Sequence, residues 1–214
     1  CDDEQREAEY VVQQIYQQKR IHGAKYADFA VLYRSNHQAR IFEQALRAAH
    51  IAYTISGGQS FYDKAEIKDV LAYMRVLANP NDDPAFLRAA TTPKRGIGDT
   101  TLGKLNDYAK QHECSLFEAA GSLHALTALS GKSRESLQQF MALLHDYGRR
   151  AQEDDAGATI QDLLKDIDYE NHLLAMSDNN SKMAENRWRN VQELCDWLAR
   201  KGEEGERSLV DLTQ

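Results

Sequence analysis

The chain has 214 residues, 42% of them hydrophobic and 28% charged, with a formal net charge of −7 and a sequence pI near 5.5. That balance describes one large or two small soluble globular domains and excludes a chain that coats nucleic acid with basic charge, so any nucleic-acid contact must come from a local basic patch. No apolar run is long enough to cross a bilayer, no signal segment opens the chain, and Cys1, Cys114 and Cys195 stand in no metal-ligand spacing; this argues against a membrane protein and against zinc, and for reduced thiols in a cytoplasmic protein.

In chain order, residues 4–18 predict a helix with a weakly amphipathic face from Tyr10, Val11, Val12 and Ile15, ended by His22-Gly23. Phe29-Ala30-Val31-Leu32-Tyr33 is short, continuous and β-leaning, as a strand covered on both faces would be. It runs into Arg34, and Ser35 with Gln38 forms an S-x-x-Q capping box that opens a helix over 36–49, with apolar positions at Ile41, Phe42, Ala45 and Leu46. Ile51-Ala52-Tyr53-Thr54-Ile55 reads as a second strand, and strand, helix, strand at this spacing is a βαβ unit with parallel strands. Gly57-Gly58 breaks the pattern, and Asp63 and Glu66 give the next helix an acidic start. Ile67, Val70, Leu71, Met74 and Leu77 make its stripe, Asn79-Pro80 stops it, and Asp83-Pro84 starts a short helix reaching about 90.

Beyond that point the sequence carries no strand signal. Helices are predicted near 100–111, 116–121, 133–152, 159–175 and 181–201. Ser115 and Glu118 form a second capping box. Leu137, Phe140, Met141, Leu144 and Tyr147 stripe one helix, and Met183, Trp188, Val191, Leu194 and Leu198 stripe the last; both stripes read as core. The expected fold class is therefore α/β plus all-α, helical for the most part, changing character near residue 90. Two strands are too few for a sheet covered on both faces. Together with a first residue that is Cys1 rather than methionine, this predicts that strand partners lie in sequence beyond the chain.

Two segments carry chemistry. In open α/β sheets, ligands bind just beyond the carboxyl ends of strands. There Tyr33 offers a flat face for stacking on a base, and Arg34 a planar, permanently charged fork suited to phosphate oxygens. The second segment is Thr92-Pro93-Lys94-Arg95-Gly96-Ile97-Gly98-Asp99-Thr100-Thr101, between two helices. Gly96 and Gly98 allow unusual backbone conformations and close approach, and the amides that open the following helix favour an anion. Lys94 and Arg95 add charge, Thr100 and Thr101 add hydroxyl donors, and Ile97 would pack inward. This is the layout of a helix-hairpin-helix loop gripping a nucleic-acid phosphate without reading sequence. Arg88, Lys94, Arg95 and Lys104 against Asp99 make a basic patch in an acidic chain. The plainer reading of the loop is a tight interhelical turn with solvated charges. The seven histidines show no metal spacing, acidic clusters such as Glu153-Asp154-Asp155 and Glu203-Glu204 read as loop charge, and no GxxxxGK[ST] phosphate loop occurs.

These segments together resemble superfamily 1A DNA helicases of the UvrD/PcrA/Rep family. The resemblance rests on AVLYRSN at 30–36, GGQSFYDKAEIKDVLAYMR at 57–75, NPNDD at 79–83 and PKRGIGDTT at 93–101, in order and correctly spaced. It implies that residues 1–97 are the first part of a RecA-like motor domain, called 2A, and that 98–214 are its all-helical insertion, called 2B. It implies that Tyr33 stacks on the adenine of ATP and that Arg34 reaches the γ-phosphate as an arginine finger. Gly57, Gly58, Phe61, Tyr62, Glu66 and Lys68 would organise the motor-domain interface, and Lys94, Arg95, Gly96, Ile97, Gly98, Thr100 and Thr101 would hold duplex DNA ahead of the fork. The complete family enzyme uses ATP and Mg2+ and moves 3′ to 5′ along single-stranded DNA. The partners implied are DNA, the remaining motor domains and replication or repair proteins. With no phosphate loop, the isolated chain would be inactive. Competing readings are a non-catalytic DNA-binding module, a helicase-like subunit of a recombination nuclease, and a protein-interaction scaffold.

Overall fold

The computed structural model describes residues 2–56, 58–153 and 156–203. Gly57, Asp154, Asp155 and Glu204, named above, lie outside the described residues, as does Cys1. The chain divides into two compact units, Cys1–Lys64 and Ala65–Gln214.

In the first unit, α1 (Asp2–His22) packs against α2 (Asn36–Ala48). α1 closes on Lys19, Arg20 and His22, cations suited to the negative end of the helix dipole, and Gly23 at φ +67° ends it. Val12 and Ile15 of α1, Leu46 of α2 and Ile51 form the small core, with Val11, Tyr26, Phe29, Ala45, Ala49 and Tyr53 packed around it. Short 3-10 turns cover Tyr26–Asp28 and Phe61–Asp63.

The two expected strands do not form: among the described residues there is no β-ladder, and 29–33 and 51–55 lack regular structure. Their exposure still follows the period of two of an extended chain, with Ile51 buried, Ala52 exposed, Tyr53 half-buried, Thr54 exposed and Ile55 half-buried. A strand exists only where a neighbour takes its N–H and C=O groups. Here neither run pairs with the other, and Leu32 stands 93% exposed. The pattern for a strand is present without the partner.

The second unit is a helical body. α3 (Ala65–Ala78) is buried almost all round and packs against α4 (Asp83–Thr91), α8 (Gly131–Glu153) and α11 (Ser181–Glu203). Between them run α5 (Asp99–His112), α6 (Leu116–Gly121), the five-residue α7 (Leu123–Thr127), α9 (Ala156–Asp166) and α10 (Tyr169–Met176). Phe86 of α4 meets Phe140 of α8 edge-on at 5.5 Å, at the centre of the core. The α8 stripe is buried as expected. In α11, Val191, Leu194 and Leu198 are fully buried, but Trp188 is half-buried and Met183 is 47% exposed, so the core stripe starts later than the sequence implied.

The helix expected over 159–175 is two helices. Asp168 takes φ +54° between α9 and α10, and its carboxylate accepts both bonds from Asn171 Nδ2, at 2.8 and 3.0 Å. Asp tolerates this left-handed conformation better than most residues. The boundary between compact units falls at Lys64/Ala65, because α3 and α4 bury their apolar faces against each other and against the helices that follow them.

Candidate nucleotide contact and glycine loop

In the first unit, Ser35 caps α2: its Oγ accepts the Gln38 N–H at 3.4 Å. Gln38 does not return the bond to Ser35, as a full capping box would. Its Oε1 accepts the Arg34 N–H at 3.0 Å. The backbone of Arg34 is thereby tied to the first turn of α2 while the side chains of Tyr33 and Arg34 are exposed. The pair is solvent-facing and mounted on a capped helix start, an arrangement that can present a ring and a guanidinium to a ligand.

Residues 53, 60 and 61 are held to α2 by one acid. Glu43 is 3% exposed, and it accepts bonds from the Tyr53 hydroxyl at 3.0 Å, the Ser60 hydroxyl and the Phe61 N–H at 3.1 Å. Burial first, then Glu43, holds the Tyr53 phenol well above the ordinary tyrosine range. Phe61 and Tyr62, expected at a motor-domain interface, are both buried within the first unit.

In the second unit, the loop after α4 is anchored from below. The Tyr73 hydroxyl lies 2.6 Å from the Thr92 carbonyl and 3.1 Å from that of Ala89, and it accepts a bond from the Arg95 guanidinium. Arg95 also donates to Thr92 O at 3.1 Å and Pro93 O at 3.2 Å, and it lies over the Phe140 ring at 4.7 Å. Burial, opposed by Arg95, pushes the Tyr73 phenol up to about 12. Gly96 has φ +85°, Ile97 is 5% exposed, and Gly98 sits at the N-cap of α5 with no side-chain cap. The first amides of α5 thus have no intrahelical acceptor, as at any helix start, and Gly98 leaves open space beside them.

The expected phosphate-binding residues divide. Lys94, Gly96, Gly98 and Thr100 are exposed, Ile97 and Thr101 are buried, and Arg95 is turned inward. Of the other basic residues in the patch, Arg88 donates to Asp69 at 2.7 Å and Lys104 to the Ala128 carbonyl at 2.7 Å. Three of the four cations are hydrogen-bonded within the chain, Arg95 on its inner side and Lys104 at the surface. Asp99 adds a carboxylate to the first turn of α5, where it satisfies the helix dipole and opposes an incoming anion.

Sequence reasoning missed a buried polar cluster. Asp69, 3% exposed, takes Arg88 on one oxygen and the Tyr169 hydroxyl on the other at 2.8 Å. Glu66, 5% exposed, accepts from Asn190 Nδ2 at 2.7 Å. A signal existed: α3 is apolar on nearly every face, so acids at 66 and 69 had to be buried. Among the described residues, no group of three His, Cys, Asp or Glu side chains is arranged to hold a metal ion, and no helix is long and apolar enough to cross a membrane.

Comparison with known proteins gives the class first. The chain matches the UvrD-like helicase C-terminal domain over residues 1–212, and it belongs to that family. Among individual proteins, it is 42% identical over 198 residues to the ATP-dependent DNA helicases Rep of Salmonella typhimurium and of Escherichia coli, which covers 92% of the chain and 29% of each relative. It is 37% identical over 170 residues to the ATP-dependent DNA helicase PcrA of Staphylococcus epidermidis, covering 79% of the chain and 23% of that protein. The chain therefore spans less than a third of the length of these relatives.

Proposed function

We propose that this chain is a segment of an ATP-dependent 3′-to-5′ DNA helicase of the cytoplasm. In this reading it contributes one side of the ATP site from its first 97 residues, a RecA-like motor portion, and a duplex-contacting, regulatory subdomain from the remainder. The observation that carries the reading is the exposed Tyr33–Arg34 pair fixed to the capped start of α2. Tyr33 stacks on adenine. Arg34 meets the γ-phosphate from across the cleft and stabilises the charge that spreads over the transferring phosphoryl group. The chain's residues fit this half of a nucleotide site: the sequence has no phosphate loop, and among the described residues no carboxylate set is arranged to hold Mg2+, so in this reading the ion and most of the triphosphate are held elsewhere in the protein.

The glycine loop is the phosphate grip for duplex DNA. Its acceptor-seeking groups are the first amides of α5, the Thr100 hydroxyl and Lys94, while Arg95 and Ile97 hold the loop's shape. The intramolecular pairing of Arg88, Arg95 and Lys104 favours a second reading, an interaction scaffold, which requires that Lys94→Ala leave duplex binding unchanged.

The test is steady-state ATP hydrolysis by the full-length helicase with DNA present. Arg34→Ala is expected to lower kcat by about 10³-fold or more, the scale of an arginine finger, with little change in KM. Tyr33→Ala is expected to raise KM about tenfold, the worth of one aromatic stack on a base. In the same assay the isolated chain releases no phosphate. Wild-type turnover by Arg34→Ala would exclude the finger.

A further inference from the structure

Glu43 takes no part in the chemistry just described, yet it is a deeply buried carboxylate in the middle of α2. Its three donors all come from one stretch of chain: Tyr53 and Ser60 on Oε2, and the Phe61 N–H on Oε1. On the same face of the helix, Arg40 and Arg47 lie over the rings of Phe61 and Tyr62, at 5.6 and 4.2 Å. Burying a charge is costly unless its lone pairs are satisfied, and here three donors meet it. A helix held at its midpoint by one loop in this way has little freedom to slide along its axis or roll about it. The first turn of α2 is in turn tied to Arg34 through Gln38. A shift of α2 against residues 53, 60 and 61 therefore reaches the backbone of Arg34.

We propose that Glu43 is a positioning residue for the arginine finger: by fixing α2 to the 53–61 segment it sets where the Arg34 guanidinium lies. The proposal rests on the reading of Arg34 as the finger. An aromatic stack tolerates a small displacement, whereas a charge aimed at a transition state does not; a misplacement of about 1 Å can cost roughly 10²-fold in rate. The effect therefore belongs in kcat more than in KM for ATP.

The experiment measures kcat and KM for DNA-stimulated ATP hydrolysis by the full-length helicase carrying Glu43→Gln, Arg34→Ala, or both, with thermal unfolding as the check on folding. Ser60→Ala, alone and with Arg34→Ala, is the milder variant: it removes one donor, keeps the acid, and carries the test if Glu43→Gln does not fold. Glu43→Gln is expected to lower kcat by about 10- to 100-fold with KM within about threefold. Ser60→Ala is expected to do less in the same direction. In the Arg34→Ala background either change is expected to add less than about twofold, because the group being positioned is gone. Unchanged kcat, or the same loss with and without Arg34, overturns the positioning role. Wild-type kcat in Arg34→Ala alone is a different failure, that of the finger itself.

Discussion

At Gly96 the backbone has φ +85°, and a Cβ there would meet Ser136 Oγ at 3.1 Å. At Gly98 φ is −105°, and a Cβ would meet nothing within 4 Å. The two glycines separate the loop's shape from its use. Gly96→Ala forces a left-handed conformation on an L side chain and is expected to cost about 1–2 kcal/mol of stability, read by urea unfolding of the second unit's helices. Gly98→Ala is expected to cost under about 1 kcal/mol, the scale of a poorer N-cap. In the proposed phosphate grip its methyl group would stand in the way of the phosphate, so it should weaken duplex binding severalfold in a fluorescence anisotropy titration. Equal duplex binding by Gly98→Ala and the parent would argue that the loop is a turn and nothing more. The burial of Ile97 and the turn at Gly96 were legible in the sequence, since a small-apolar-small triplet between helices leaves few alternatives. The direction of Arg95 was not legible, because its partners Tyr73 and Phe140 lie on other helices and only the tertiary fold brings them together.

Among the elements, α3 is the member on which α4, α10 and α11 converge through Asp69 and Glu66. Arg88→Ala leaves a buried carboxylate with a single hydroxyl donor and is expected to cost about 3 kcal/mol, the low end for breaking a buried pair, since Arg88 itself is 38% exposed. Tyr169→Phe removes one neutral donor and is expected to cost about 1–2 kcal/mol. Chemical denaturation of the two variants orders them; a larger loss in Tyr169→Phe would mean that the Arg88 pair is dispensable. Most helices could be read from their 3.6-residue stripes and caps, and the Ser115–Glu118 capping box forms with both arms in place. What escaped was local or relational. α7 is too short to show a period, the break at Asp168 turns on one backbone conformation, and the partners of the α3 acids, Arg88, Tyr169 and Asn190, lie on other helices. The two expected strands failed for the opposite reason: the sequence holds their pattern, but a strand forms only with a partner, and among the described residues neither run has one.

Over the whole molecule, burial biases several groups in the same direction. It pushes Tyr62, Tyr73, Tyr147 and the Cys195 thiol each up to about 12, from ordinary values of 10.0 for tyrosine and 9.0 for cysteine. For all four the neutral form is the one the folded chain accommodates. The stability they contribute is fully present below pH 9 and is lost as pH rises from there through about 12. Thermal unfolding between pH 7 and 12 is expected to show a plateau followed by a steepening fall, approaching about 1.4 kcal/mol per pH unit for each group titrating. A flat profile to pH 12 would mean that these groups reach water in the folded state.

The pairing of Arg88, Arg95 and Lys104 within the chain has a consequence for how the proposed grip responds to ionic strength. A grip that engages DNA through helix amides and Lys94 displaces about one condensed counterion, so a tenfold rise in monovalent cation weakens it about tenfold. A grip using all four cations would lose between three and four powers of ten over the same range. The grip proposed here is therefore weaker in dilute buffer than a four-cation one but falls off far less steeply as salt rises.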